Sequence, residues 1–176
     1  MPNTYARYPV QWSACCVWVL AIFICSESFA SSQKVVEEIQ KHQVRYSKLD
    51  AEFIVGQRRI ASSGKMNPGQ DRIFNLLFTV SGNLSFMEAE FSALQTYITQ
   101  ASMVTEKRSI PISRNLVETH RASMIKRTRV FTQYIQKALH PATDQEITRL
   151  LLEARDLFRS SADLLERLQI TETGTH

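Results

Sequence analysis

Beyond residue 30 the chain contains no cysteine and no tryptophan, because Cys15, Cys16, Cys25, Trp12 and Trp18 all precede it. That remainder therefore has no disulfide, no thiolate nucleophile and no Cys-based metal or haem attachment. Glycine and proline are scarce, with five of each in 176 residues, which argues against sandwiches, barrels and low-complexity disorder. A dense charge of one sign is also lacking. Removing Arg7 and Glu27 from the totals of 21 basic and 17 acidic residues leaves 20 against 16 beyond residue 30. Short basic runs such as Lys107-Arg108 and Lys126-Arg127-Thr128-Arg129 do not make a nucleic-acid footprint. No Gly-x-Ser-x-Gly, Walker loop, His-Glu-x-x-His or glycine-rich dinucleotide turn occurs. Neither an enzyme nor a cofactor is expected.

The first thirty residues carry one basic residue, Arg7, and an unbroken apolar run from Ala14 to Cys25. Ser28-Phe29-Ala30 follows, with small residues at the two positions a signal peptidase reads. This order predicts a signal peptide over residues 1–30, cleaved after Ala30. The run is short of the roughly twenty residues that cross hydrocarbon, so an uncleaved N-terminal anchor is the alternative. A lipoprotein site at Cys25 is disfavoured by bulky Phe23 and Ile24 before it. With no second long apolar segment, the mature chain should lack a transmembrane span. A small exported domain without cysteine points to a bacterial periplasm, with secretion as the alternative. The sequon Asn83-Leu84-Ser85 falls inside a predicted helix and is weak evidence for glycosylation.

What the chain has in abundance is helical periodicity. Val35, Ile39, His42, Tyr46, Leu49, Phe53, Gly56 and Ile60 alternate steps of four and three. So do Ile73 to Ala101, Val117 to Ala138 (through His120, Met124, Arg127, Phe131 and Tyr134) and Ile147 to Leu168. Such spacing places each set on one helix face. Gly64 can end the first helix, and Asn67-Pro68-Gly69-Gln70 offers a cap for the second. Pro111 breaks the chain before the third, and Thr143-Asp144-Gln145-Glu146 reads as a capping box for the fourth. The expectation is an all-α, up-down-up-down antiparallel four-helix bundle over 31–170, following the cleaved signal peptide. Its helices should span about 33–62, 70–105, 113–139 and 144–169, followed by a disordered tail over 171–176. Ser81-Gly82-Asn83 should soften the second helix.

Three seam positions break the apolar rule and supply the candidate chemistry. His42 and His120 could ligate metal or haem if they face one another, although no Glu-x-x-His spacing supports them. A buried, unpaired Arg127 would cost several kcal/mol. It should therefore reach the edge or meet an anion, and with Arg58 and Arg59 it could form a small-anion site. Val55-Gly56-Gln57-Arg58-Arg59-Ile60 resembles the Gly-x-x-Arg-Met segment of periplasmic four-helix sensor modules in chemotaxis receptors. Ile60 stands where that family has Met, and the later Gln-Arg is missing. The resemblance implies a small-ligand sensor bundle. Gly56 could equally admit a large neighbour such as Tyr134. Phe78 and Phe86 point outward and are the candidate partner surface. The leading expectation is thus a non-catalytic accessory or interaction module of the bacterial envelope, binding an envelope protein or a second copy. Sensing of a small anion is the first alternative, and a metal- or haem-binding bundle the second.

Overall fold

The computed structural model describes residues 13–62, 64, 66–103, 109–139 and 144–168, with described side chains beginning at Gln33. Four helices account for nearly all of them: α1 (Ser13–Ser62), α2 (Pro68–Met103), α3 (Ile110–Ala138) and α4 (Gln145–Arg167). No strand occurs among the described residues, and the architecture is that of an all-α protein consistent with a four-helix bundle. Packing is described for the compact unit Val36–Ile170; residues up to Val35 belong to a separate unit. Among the described residues, no helix is long and apolar enough to cross a membrane. The side chains of the apolar run from Ala14 to Cys25 and of Ser28-Phe29-Ala30 lie outside the described residues, as does the tail over 171–176.

Helix ends follow from local chemistry. Asn67 Oδ1 accepts the backbone N–H groups of Gly69 and Gln70, each at 2.9 Å, while Asn67 N–H donates to Gln70 Oε1 at 3.0 Å. Two otherwise unpaired helix donors are thereby satisfied reciprocally. Gly64 has a φ of 91°, the left-handed geometry that lets the chain leave α1 without a Cβ clash. Helix α3 begins at Ile110 rather than 113, because Pro111 fits the first turn, where its missing N–H costs nothing. At α4 the cap is Asp144, whose Oδ1 accepts from Glu146 N (2.8 Å) and Ile147 N (3.3 Å). Thr143 lies outside the described residues. Helix α1 begins at Ser13, twenty residues before the expected start, and no proline stands between Pro9 and Pro68 to interrupt it.

Large side chains fill the interior. Tyr46 of α1 lies 5.7 Å from Phe91 of α2 and 5.6 Å from Phe158 of α4, ring centroid to centroid. Phe131 of α3 stacks on Phe158 at 5.6 Å, so an aromatic cluster draws on all four helices. Tyr46, Phe91 and Phe158 are fully buried, each contributing roughly 1.5–3 kcal/mol of burial. Tyr46 Oη donates to the buried Ser161 Oγ at 3.0 Å, satisfying the hydroxyl inside that cluster.

The expected seams hold on α2, where Leu77, Val80, Leu84, Met87, Phe91 and Leu94 are buried. On α3 the buried face instead turns through Met124, Thr128 and Ile135, leaving Tyr134 40% exposed. Gly56 therefore does not admit Tyr134. A Cβ added there would meet Leu77 Cδ1 at 3.4 Å and Leu150 Cδ1 at 3.7 Å. Helix α2 runs unbroken through Ser81-Gly82-Asn83. Ser81 and Ser85 both donate to the Asp50 carboxylate of α1, the latter at 2.6 Å, and Asn83 Nδ2 donates to Thr79 O at 2.8 Å.

Candidate functional site

The three arginines singled out by sequence are held at separate places. Arg59, near the C-terminal end of α1, forms an ion pair with Glu146 at the start of α4. Arg58 is exposed on the adjoining position. Arg127, halfway along α3, lays its guanidinium over the Phe86 ring of α2, 3.7 Å from the centroid. That contact answers the cost of a cation at a seam position: the guanidinium stays half-buried on an aromatic face whose quadrupole favours it. Phe86, expected as a partner anchor, is 38% exposed and has Arg127 as its cover.

The two histidines also occupy different neighbourhoods. His42 Nδ1 lies 3.1 Å from the Glu38 carbonyl, and its ring is 5.9 Å from Phe91. Its Nε2 is buried and has no hydrogen-bond partner among the described residues. Burial lowers the imidazole pKa from its ordinary value, and the charge of Arg45 pushes the same way. His120 Nε2 instead approaches the Glu90 carbonyl at 3.2 Å and the Glu90 carboxylate at 3.3 Å, with the Tyr97 ring edge-on at 5.3 Å. Among the described residues, no three His, Cys, Asp or Glu side chains gather as a metal site.

The surface offers more than the arginine and histidine positions do. Phe78 is 64% exposed on α2, and Val44 and Val55 of α1 are also open to solvent. On α3, Val130 (53% exposed) and Tyr134 (40%) lie three and seven residues beyond Arg127, hence on its face of the helix. Helix α3 is also the most one-sided in charge, with Arg114, Arg121, Lys126, Arg127, Arg129 and Lys137 against the single acid Glu118. Glu118 is itself taken by Arg121 at 2.6 Å. This concentration escapes a search for consecutive basic residues, because helical spacing spreads it over several turns. Counting charge helix by helix would have found it.

Comparison with known proteins adds no relative: no family model matches the chain, and neither does any curated protein or solved structure.

Proposed function

We propose that this chain is an exported, non-catalytic helical-bundle module of the bacterial envelope, which works by presenting a helix face to an envelope protein. The observation that carries this is Phe78, a phenyl ring left 64% exposed on α2 while the adjacent Leu77 is fully buried. Covering a phenyl group of this size contributes roughly 1.5–3 kcal/mol, enough to anchor a contact. Export is supported by the leader-like order of residues 1–30.

The contact order supports an up-down-up-down arrangement. Asp50 meets Ser81 and Ser85 while Gln57 meets Leu77, and Arg127 meets Phe86 while His120 meets Glu90. Arg121 reaches the Leu165 carbonyl while Arg155 reaches Gln136. In each pair rising numbers on one helix meet falling numbers on the next, as neighbouring antiparallel helices require. Anion sensing by Arg58, Arg59 and Arg127 would first have to break the Arg59–Glu146 pair and lift Arg127 from Phe86.

The test is a photo-crosslinking residue at position 78 in protein expressed with its own leader and recovered from the periplasm. A cross-linked envelope protein, its yield reduced by an excess of the unlabelled wild-type chain but not by an excess of the Phe78→Ser chain, is the expected outcome. Absence of any product at position 78, with Phe78→Ser leaving partner recovery unchanged, would sink the proposal.

A further inference from the structure

We infer that the edge where α3 meets α2 takes an acidic peptide segment of the partner, its carboxylates on Lys126, Arg127 and Lys137 and its apolar side chains against Val130 and Tyr134. This rests on the interaction-module proposal above and names the partner's chemistry. The five α3 residues are spaced one, three, four and three apart, so they share three turns of one helix surface, about 16 Å long. Lys126, Val130, Tyr134 and Lys137 are exposed, and Arg127 and Phe86 join the stripe to α2 by direct contact.

Charge decides the occupant. Six basic residues against one acid make α3 the source of a local positive field, which selects a partner of opposite sign. Glu118 offsets Arg121 and Glu166 of α4 offsets Arg129, whereas Lys126, Arg127 and Lys137 have no acidic partner among the described residues and carry the field of the stripe. A second copy of this chain is a poor occupant, since it carries a net charge of +4. An anionic membrane is also disfavoured. Insertion needs a broad apolar face, whereas this stripe sets Val130 and Tyr134 between cations and its Phe86 face is covered by a guanidinium. That same stacked guanidinium keeps its N–H edge available for bidentate pairing with a carboxylate.

Selection of random dodecapeptides displayed on phage against the immobilised full chain tests this directly. The expected result is enrichment of sequences combining Asp or Glu with aromatic or aliphatic residues. Their affinity should fall about tenfold or more with Lys126→Glu/Lys137→Glu, by a smaller factor with Lys126→Gln/Lys137→Gln, and with rising salt. Both lysines are exposed, so an unchanged helical circular dichroism spectrum is expected and certifies that the variants fold. Peptides without an acidic excess, or the same peptides on wild type and charge-reversed protein, overturn the inference. So does preferential binding to phosphatidylglycerol vesicles. A cross-link at position 78 that survives such a failure leaves the interaction module standing and removes only the acidic segment.

Discussion

Replacing Tyr46 with Phe removes one oxygen from the middle of the protein and little else. The ring contacts with Phe91 at 5.7 Å and Phe158 at 5.6 Å remain available to a phenyl group, so the loss is confined to the 3.0 Å hydrogen bond to Ser161. Burial pushes the Tyr46 phenol far above its ordinary pKa, so it is a neutral donor at any working pH. A neutral buried hydrogen bond contributes about 0.5–1.5 kcal/mol net, and leaving a buried partner unsatisfied costs about 1–3 kcal/mol. Ser161 is buried on α4, yet its hydroxyl can rotate toward its own helix backbone, as Thr128 does toward Met124 O and Ile125 O. That relief puts the expected destabilisation at about 1–2 kcal/mol. Urea unfolding followed by circular dichroism should show the midpoint falling by about 0.5–1 M at a typical slope. Tyr46→Phe/Ser161→Ala should recover much of the loss, because both polar atoms then leave together. An unchanged midpoint for the single variant, or strictly additive effects in the pair, would refute the claim that this bond is a coupled, buried contact.

Further predictions follow from the glycines, the stacked cation and the buried imidazole. Gly82→Ala should stabilise the protein by about 1 kcal/mol, because its Cβ meets nothing within 4 Å and α2 gains a better helix former; thermal unfolding checks it. Gly64→Ala should do the opposite by about 1 kcal/mol, since its φ of 91° is strained for any L side chain. A double-mutant cycle on Arg127→Ala and Phe86→Leu should return a coupling of about 0.5–1 kcal/mol, and zero coupling would dissolve the cation–π contact. His42 has a lowered folded pKa, so below the unfolded value of about 6.5 the unfolded chain binds the extra proton first. Stability should be fully present above that pH and decline as pH falls toward the lowered folded value. His42→Gln should flatten that decline in urea midpoints measured between pH 7 and 5.

Much of the core was legible because apolar spacing and burial coincide on α1 and α2. Ile39, Tyr46, Leu49 and Phe53 are buried where the four-and-three rhythm puts them. Helix α3 shows why the rhythm is not sufficient. A strict 3.5-residue seam selects Arg127 and Tyr134, whereas a straight helix drifts toward 3.6 and brings Thr128 and Ile135 inward instead. Thr128 was invisible as a core residue because its polarity is hidden only once its hydroxyl bonds back to the preceding turn. On α4 the buried stripe is wider than the seam and includes Leu151, Phe158, Ala162 and Leu165. The candidate arginines were legible as cations in need of partners. Which partners they found, Glu146 for one and an aromatic face for the other, depends on packing across helices that spacing within one helix does not specify.

The ties between the first and last helices bear on how a growing chain can fold. Tyr46 waits for Ser161, Glu52 for Arg149 and Arg59 for Glu146, at sequence separations of 115, 97 and 87. Emerging from its N-terminus, the polypeptide has no hydroxyl for Tyr46 and no counter-charge for Arg59 until its final quarter appears. Its earlier helices can associate, but the aromatic cluster remains incomplete without Phe158. A late keystone of this kind leaves the aromatic cluster unfinished until α4 emerges, so a C-terminal truncation before α4 is expected to damage the whole fold.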